Sequence, residues 1–345
     1  TTGDGGAVNI TQNGSITTSG TNSIGILAQS VGGGGGFVSI VSKDTSGTLN
    51  NASNLAMGAL SGSSGDGGAV TVTSNYSISS TGTNVIGILA QSVGGGGGAF
   101  VTSGVGTITP TYKAGSGYGG AVTVDVNAPI NVSGTNARGV LAQSVGGGGG
   151  FGMSGSSVIH GGGQGDGTAG TVSVNVKSSV SVSASGTNSH AISIGSISGS
   201  ADPSVTIGAG SVVSVSGGGT AIAINGANNQ LVNYGSILVG SPSADKAVEI
   251  LSPGVNDFQN HGTIAGRITN AAAANVSFIN HERARFTSVG GLGFMGSNTF
   301  TNKGYYISHS GMDNTVSVHR FTGRFDQTST GILGINLDHS AGLSD

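Results

Sequence analysis

No cysteine and no tryptophan occur among the 345 residues of this chain. The first absence excludes a disulfide framework and thiol catalysis. Proline is nearly missing, at five residues, and the 69 glycines follow no three-residue period. A collagen-like reading therefore fails. Charge is equally scarce. Lys and Arg number 11 and Asp and Glu 14, which leaves a net charge of −3. Nothing here resembles the basic footprint of a nucleic-acid binder. No apolar run approaches the ~18 residues that a membrane helix needs. The opening "TTGDGGAVNI" has neither a basic start nor an apolar block, so no signal peptide is expected in it.

What is present argues for order. Hydrophobic residues reach 35%, many of them Val and Ile in alternating runs. Disorder needs low hydrophobicity and high net charge, and this chain has neither. A composition rich in Gly, Ser, Thr, Asn, Val and Ile is that of strands and turns.

The chain repeats itself. A first block reads "GDGGAVNIT", "GDGGAVTVT" or "GYGGAVTVD", beginning at Gly3, Gly65 and Gly117. A second reads "GSITTSGTN", "YSISSTGTN" or "APINVSGTN". A third, "IGILAQSVGGGGG", spans residues 24–36 and 86–98 and returns as "RGVLAQSVGGGGG" over 138–150. Gly3 to Gly20, Gly65 to Gly82 and Gly117 to Gly134 all span 17 positions, so the unit core is constant. The length after the glycines varies, giving inserts at 37–64, 99–116 and 151–164. A fourth unit from Gly165 keeps the rhythm without the glycine run. Further on, Asn233, Asn260, Asn280 and Asn302 recur in "LVNYGSI", "FQNHGTI", "FINHERA" and "FTNKGYY", at spacings of 27, 20 and 22.

Within each block the apolar period is two, which marks strands. Three short strands in every ~20–27 residues describe one coil of a right-handed parallel β-helix. About ten coils fit the chain. Two regions are expected. Residues 1–200 carry the glycine-rich exits and the inserts. Residues 201–345 carry 10 of the 16 aromatic residues and should be the more stable half.

The "GILAQSVGGGGG" blocks, the "SGTN" before them and the closing "FTGRFDQTSTGILGINLD" resemble passenger domains of bacterial autotransporters, the type V secretion proteins. In that family the passenger ends in an autochaperone-like region, here about 298–345. Gly323, Phe325, Gln327, Gly331, Leu333, Ile335, Leu337 and Asp338 match its pattern. The resemblance implies an extracellular passenger on the outer membrane, followed in its parent by a β-barrel translocator that this chain lacks. It also gives the missing cysteines a reason, since disulfides hinder threading through a barrel.

Chemical motifs are weak by comparison. The glycine runs match GxGxxG, but no helix pattern follows them, so no nucleotide is expected. Asp4, Asp66 and Asp166 sit in "GDG" turns. Tandem calcium repeats need nine-residue spacing, and these are far apart; a turn role is the first reading. His261 and His281 hold equivalent places in successive coils and should stack on an outer face. That arrangement reads first as a solvated ladder and second as a metal pair. The densest charge, "HERAR" with His319, Arg320 and Arg324, reads as a solvated face, or second as a contact for an anionic glycan. The four Asn are expected to bond from coil to coil.

Neither a clustered carboxylate pair nor a nucleophile with its base stands out; Asp44 and Asp125 are isolated acids. The expectation is therefore a non-enzymatic, cofactor-free and metal-free surface adhesin. Its inserts would bind a host or bacterial surface protein or glycan. Candidate contact residues are Phe37, Lys43, Asp44, Phe100, Tyr112, Lys113, Phe151 and His160. For the three Phe residues the first reading is a cover for the edge of the solenoid, and an exposed aromatic stack for a partner is the second. Alternatives for the whole chain are a self-associating rod that promotes aggregation or biofilm, and a glycan-acting enzyme.

Overall fold

The computed structural model describes residues 3–41, 56–57, 64–103, 111–112, 115–154, 157–161, 165–199, 201–241, 244–270, 274–289, 292–293, 297–309, 323–334, 337–338 and 343–344. No helix occurs among them. Three parallel sheets form the walls of a β-helix. The first holds ten strands, from Val8–Gln12 to Arg324–Gln327, and the second ten, from Ile16–Ser19 to Ile332–Gly334. The third holds eight, from Ile24–Val31 to Leu292–Gly293. Ten rungs at the usual strand spacing make a rod roughly 45 Å long.

The period-two alternation puts every second side chain inside. Val122, Val124 and Val126 are buried, and Thr123 and Asp125 between them are partly exposed. Each Val stacks in register on an equal: Val8 on Val70, Val70 on Val122, Val122 on Val172. One continuous apolar core results, running from Ile26 to Tyr306. All three sheets continue past residue 200, through the pairings of Val172–Val176 with Pro203–Ile207, Ser181–Ser185 with Val212–Ser216, and His190–Ile197 with Thr220–Asn225. What changes is the filling. The early rungs hold Val, Ile and Ala, while the late rungs stack rings. Phe278 lies on Phe300 with centroids 4.9 Å apart, and Phe286 meets Phe278 edge-on at 5.1 Å.

The corner between the second and third strands explains "SGTN". Gly20, Gly82, Gly134 and Gly186 have φ of 107°, 137°, 129° and 112°. Asn22, Asn84, Asn136 and Asn188 follow at φ of 56° to 62°. Asn is the non-glycine residue best suited to that left-handed region. Its amide is also used: Nδ2 of Asn84, Asn136 and Asn188 donates to Oδ1 of the preceding Asn at 3.1, 2.8 and 2.8 Å. The expected C-terminal ladder is present as well. Asn233, Asn260, Asn280 and Asn302 each donate to the next rung at 2.8, 2.8, 2.8 and 3.0 Å, the last acceptor being Gln327. Buried amides matched this way are costly to remove, because the partner is left unsatisfied.

Asn84→Ala should destabilise the chain by about 2–3 kcal/mol, from lost buried bonds and left-handed strain together. Asn84→Gly, which relieves the strain, should cost less. Chemical denaturation followed by circular dichroism checks the order, and an Ala variant as stable as the parent would refute it.

Candidate binding surface at the glycine seam

The third strand of the first three coils is not a simple outer wall. In Ile86–Val93 and Arg138–Val145 every residue is buried, on both faces. The cover comes from the chain itself. After the glycines, strands Gly35–Val41, Gly97–Ser103 and Gly149–Ser154 form a further parallel sheet. Ser157–Gly161 joins it antiparallel, as a hairpin partner of Gly149–Ser154. A second apolar core fills the gap between the two layers: Ile86, Leu89 and Leu141 from the β-helix against Ala99, Val101, Phe151 and Met153 from the added sheet.

The glycines make the reversal. Gly95, Gly96, Gly97 and Gly98 have φ of 76°, 82°, 142° and 142°, and the equivalent residues of the neighbouring coils do the same. Side chains are excluded as well as strained. A Cβ on Gly97 would overlap the carbonyl of Gly149, and one on Gly94 would overlap that of Tyr118. The turn backbones bond to the neighbouring coils, as in Gly96 N–H to Gly32 C=O at 2.8 Å and Gly95 N–H to Gly65 C=O at 2.9 Å.

The constancy of "AQS" follows from two ladders. Gln29 Nε2 donates to Gln91 Oε1 at 2.7 Å, and Gln91 to Gln143 at 2.8 Å, between the two layers. On the other side, Ser92 Oγ donates to Gly68 C=O at 2.8 Å and accepts from Gly120 N–H at 2.8 Å. Ser30 and Ser144 repeat this with Gly6 and Gly68, and with Gly120 and Gly170. Each Ser thus ties the "GDGG" block of its own coil to that of the next. The Asp residues of those blocks do the same through backbone. Asp4 Oδ1 accepts from Asp66 N–H at 2.9 Å, and Asp66 Oδ1 from Tyr118 N–H at 2.7 Å.

The eight candidate contact residues separate into groups. Phe100 and Phe151 are fully buried, and Phe37 is partly buried. The first two are therefore not an exposed aromatic surface, which corrects that expectation. They do not stack either. Phe37, Ala99 and Phe151 share one register, and Phe100 falls one position later, opposite Val38 and Gly152. The extra Ala99 shifts the parity, so Phe100 lies on the other face, its ring over Gly152. Tyr112 belongs to a short strand, Thr111–Tyr112, that pairs in parallel with Ala56–Met57. Inserts from successive coils thus meet each other. His160 stands opposite Phe151 in the hairpin. Lys43, Asp44 and Lys113 lie outside the described residues, as do His319 and Arg320. The inserts also begin later than the sequence suggests, since 37–41, 99–103 and 151–154 are strand.

In the later coils, Tyr234, His261 and His281 stack with centroids 4.8 and 3.8 Å apart. His281 Nε2 lies 2.6 Å from Gln259 Oε1. Desolvation lowers both imidazole pKa values. At His281, His261 and Lys303 add to the lowering, and Asp257 opposes it. Among the described residues no group of three or more His, Asp or Glu side chains is placed to hold a metal ion.

No family model, no curated protein and no solved structure matches this chain.

Two outcomes are expected. Gly97→Ala should destabilise by more than about 3 kcal/mol, because strain and overlap act together, whereas Gly14→Ala, with open space around it, should stay within about 0.5 kcal/mol. Urea denaturation of both variants measures this. Second, the folded protein binds fewer protons at His261 and His281 than the unfolded chain does. Stability should therefore fall as pH drops below about 6.5, and His281→Gln should flatten that slope. Melting temperatures between pH 5 and 8 test the sign.

Proposed function

We propose that this chain is part of a surface-displayed passenger of the autotransporter type, working as an adhesive rod. Its partner is a protein or glycan on a host or neighbouring cell, and its parent carries a translocating barrel in the outer membrane. The observation that carries this reading is the added sheet on the first three coils. It gives the inserts a rigid base on one side of the rod, with a core of its own, and binding loops on rigid scaffolds are a common way to present contacts. The inserts are rich in Ser, Thr, Asn and Gly and poor in charge, so their contacts are hydrogen-bonded and adaptable. The closing "RFDQ" strand supports the reading from the other end, where Gln327 completes the Asn ladder.

A glycan and matrix-protein array probed with the full chain tests it. Replacing 42–55 and 104–110 by short Gly-Ser links should abolish binding and leave the β-rich circular dichroism spectrum intact. Undiminished binding by that variant would sink the assignment to the inserts.

A further inference from the structure

An Asn followed by Gly is the pair best able to lose a side-chain amide without an enzyme, because glycine leaves the next backbone nitrogen unhindered by a Cβ. The chain contains two such pairs, Asn13–Gly14 and Asn225–Gly226. The fold sets them in opposite surroundings. Asn225 ends the strand Thr220–Asn225, in register with Gly195. Gly226 is buried, and its N–H donates to Ser252 Oγ at 2.7 Å. A Cβ there would overlap the Pro203 ring, so the backbone is packed on that side. Asn13 and Gly14 are both exposed, in the turn between Val8–Gln12 and Ile16–Ser19. The Gly14 N–H has no acceptor among the described residues, and nothing lies within 4 Å of the place a Cβ on Gly14 would take. The Asn13 amide nitrogen, the leaving group, donates to no described residue. Asn13 Oδ1 accepts from Asn75 Nδ2 at 3.3 Å, which draws charge from the carbonyl carbon.

The next two coils repeat the Asn13 turn with a different successor. Asn75 and Asn127 continue the Asn13 column, each Nδ2 donating to the preceding Oδ1, at 3.3 and 2.9 Å. Tyr76 and Ala128 stand there in place of Gly14. Each puts a Cβ beside the nitrogen that would have to attack, and the Tyr76 N–H also points to Gln12 Oε1 at 3.4 Å. One turn thus occurs three times, and only the first copy leaves its backbone nitrogen open, unbonded and exposed.

We propose that Asn13 is a site of spontaneous deamidation, with water the only co-reactant. The Gly14 nitrogen gives its proton to hydroxide and attacks Asn13 Cγ. The new C–N bond closes a succinimide ring, the Cγ–Nδ2 bond breaks, and ammonia leaves with a proton from water. Water then opens either carbonyl of the ring, giving aspartate or isoaspartate. Aspartate still offers Oδ1 to Asn75. Isoaspartate lengthens the main chain by a methylene between two strands that are both held in register by the neighbouring coil. Either product adds a negative charge to a coil whose residues 3–36 carry only that of Asp4. The site lies outside the inserts and rests on no assignment of a partner.

Incubation of the full chain at mildly alkaline pH, sampled over weeks and read by peptide mass spectrometry with chromatographic separation of aspartate from isoaspartate, tests this. In the folded chain Asn13 should convert about tenfold faster or more than Asn225, Asn75 and Asn127, since Asn225 must first break a buried bond and open locally. In urea that unfolds the chain, Asn225 should rise to a rate similar to that of Asn13, while Asn75 and Asn127 stay slow. Gly14→Ala has space for its methyl group, so it should fold as the parent does and slow Asn13 to the rate of Asn127, which Ala128 already follows. Four results would each overturn the proposal: Asn13 intact in the folded chain while it converts in urea, Asn225 as fast as Asn13 in the folded chain, Asn75 or Asn127 as fast as Asn13, or an unchanged rate in Gly14→Ala.

Discussion

Everything in this molecule depends on parallel strands stacking in register, equal upon equal. A residue in one coil meets its counterparts above and below at strand spacing, so a polar side chain inside the wall must find its hydrogen bond along the rod axis. Asn and Gln suit this, because one amide both donates and accepts. The Asn22 to Asn188, Asn233 to Gln327 and Gln29 to Gln143 series use that property at three different places. Serine does a related job between the glycine-rich blocks, accepting from one coil and donating to another.

The two ends of the rod apply this rule with different materials. The N-terminal coils have small cores and gain their second layer by doubling the wall. The C-terminal coils have no second layer among the described residues and fill a single core with Phe and Tyr rings. Offset-stacked and edge-to-face rings contribute beyond their buried area. The Tyr306 hydroxyl sits deep enough that desolvation pushes its pKa up to about 12. Most charge is left to the outer faces; among the described residues Arg138 is buried beneath the added sheet, and Asp245 is buried with its carboxylate accepting from the N–H groups of Gly218, Gly219 and Ser241.

Much of the fold was legible because strand alternation and coil length are both periodic in one dimension. The Val stacks, the Asn233 series and the His261–His281 pair could be placed from spacing alone. The doubled wall could not. Leu89 and Gln91 alternate with inward residues as any outer-face pair would, and nothing local says that a later strand returns to cover them. The parity of the aromatics was likewise hidden, since a single inserted Ala99 sends Phe100 and Phe151 to opposite faces. Arg138 looked like one deviation in an otherwise constant block. Its burial comes from the added sheet, whose Phe151 ring lies 5.9 Å from the guanidinium.

The glycine seam has an evolutionary consequence. A side chain at Gly97 would collide with the coil on one side, and one at Gly98 with the coil on the other. Change at a single copy is therefore penalised by neighbours that have not changed. Such a block drifts slowly by point mutation but is readily copied whole, because a duplicated unit arrives with every partner it needs. Near-identity among the three coils is what lengthening a rod by unit duplication would leave behind, and the variable inserts are where each copy was free to diverge.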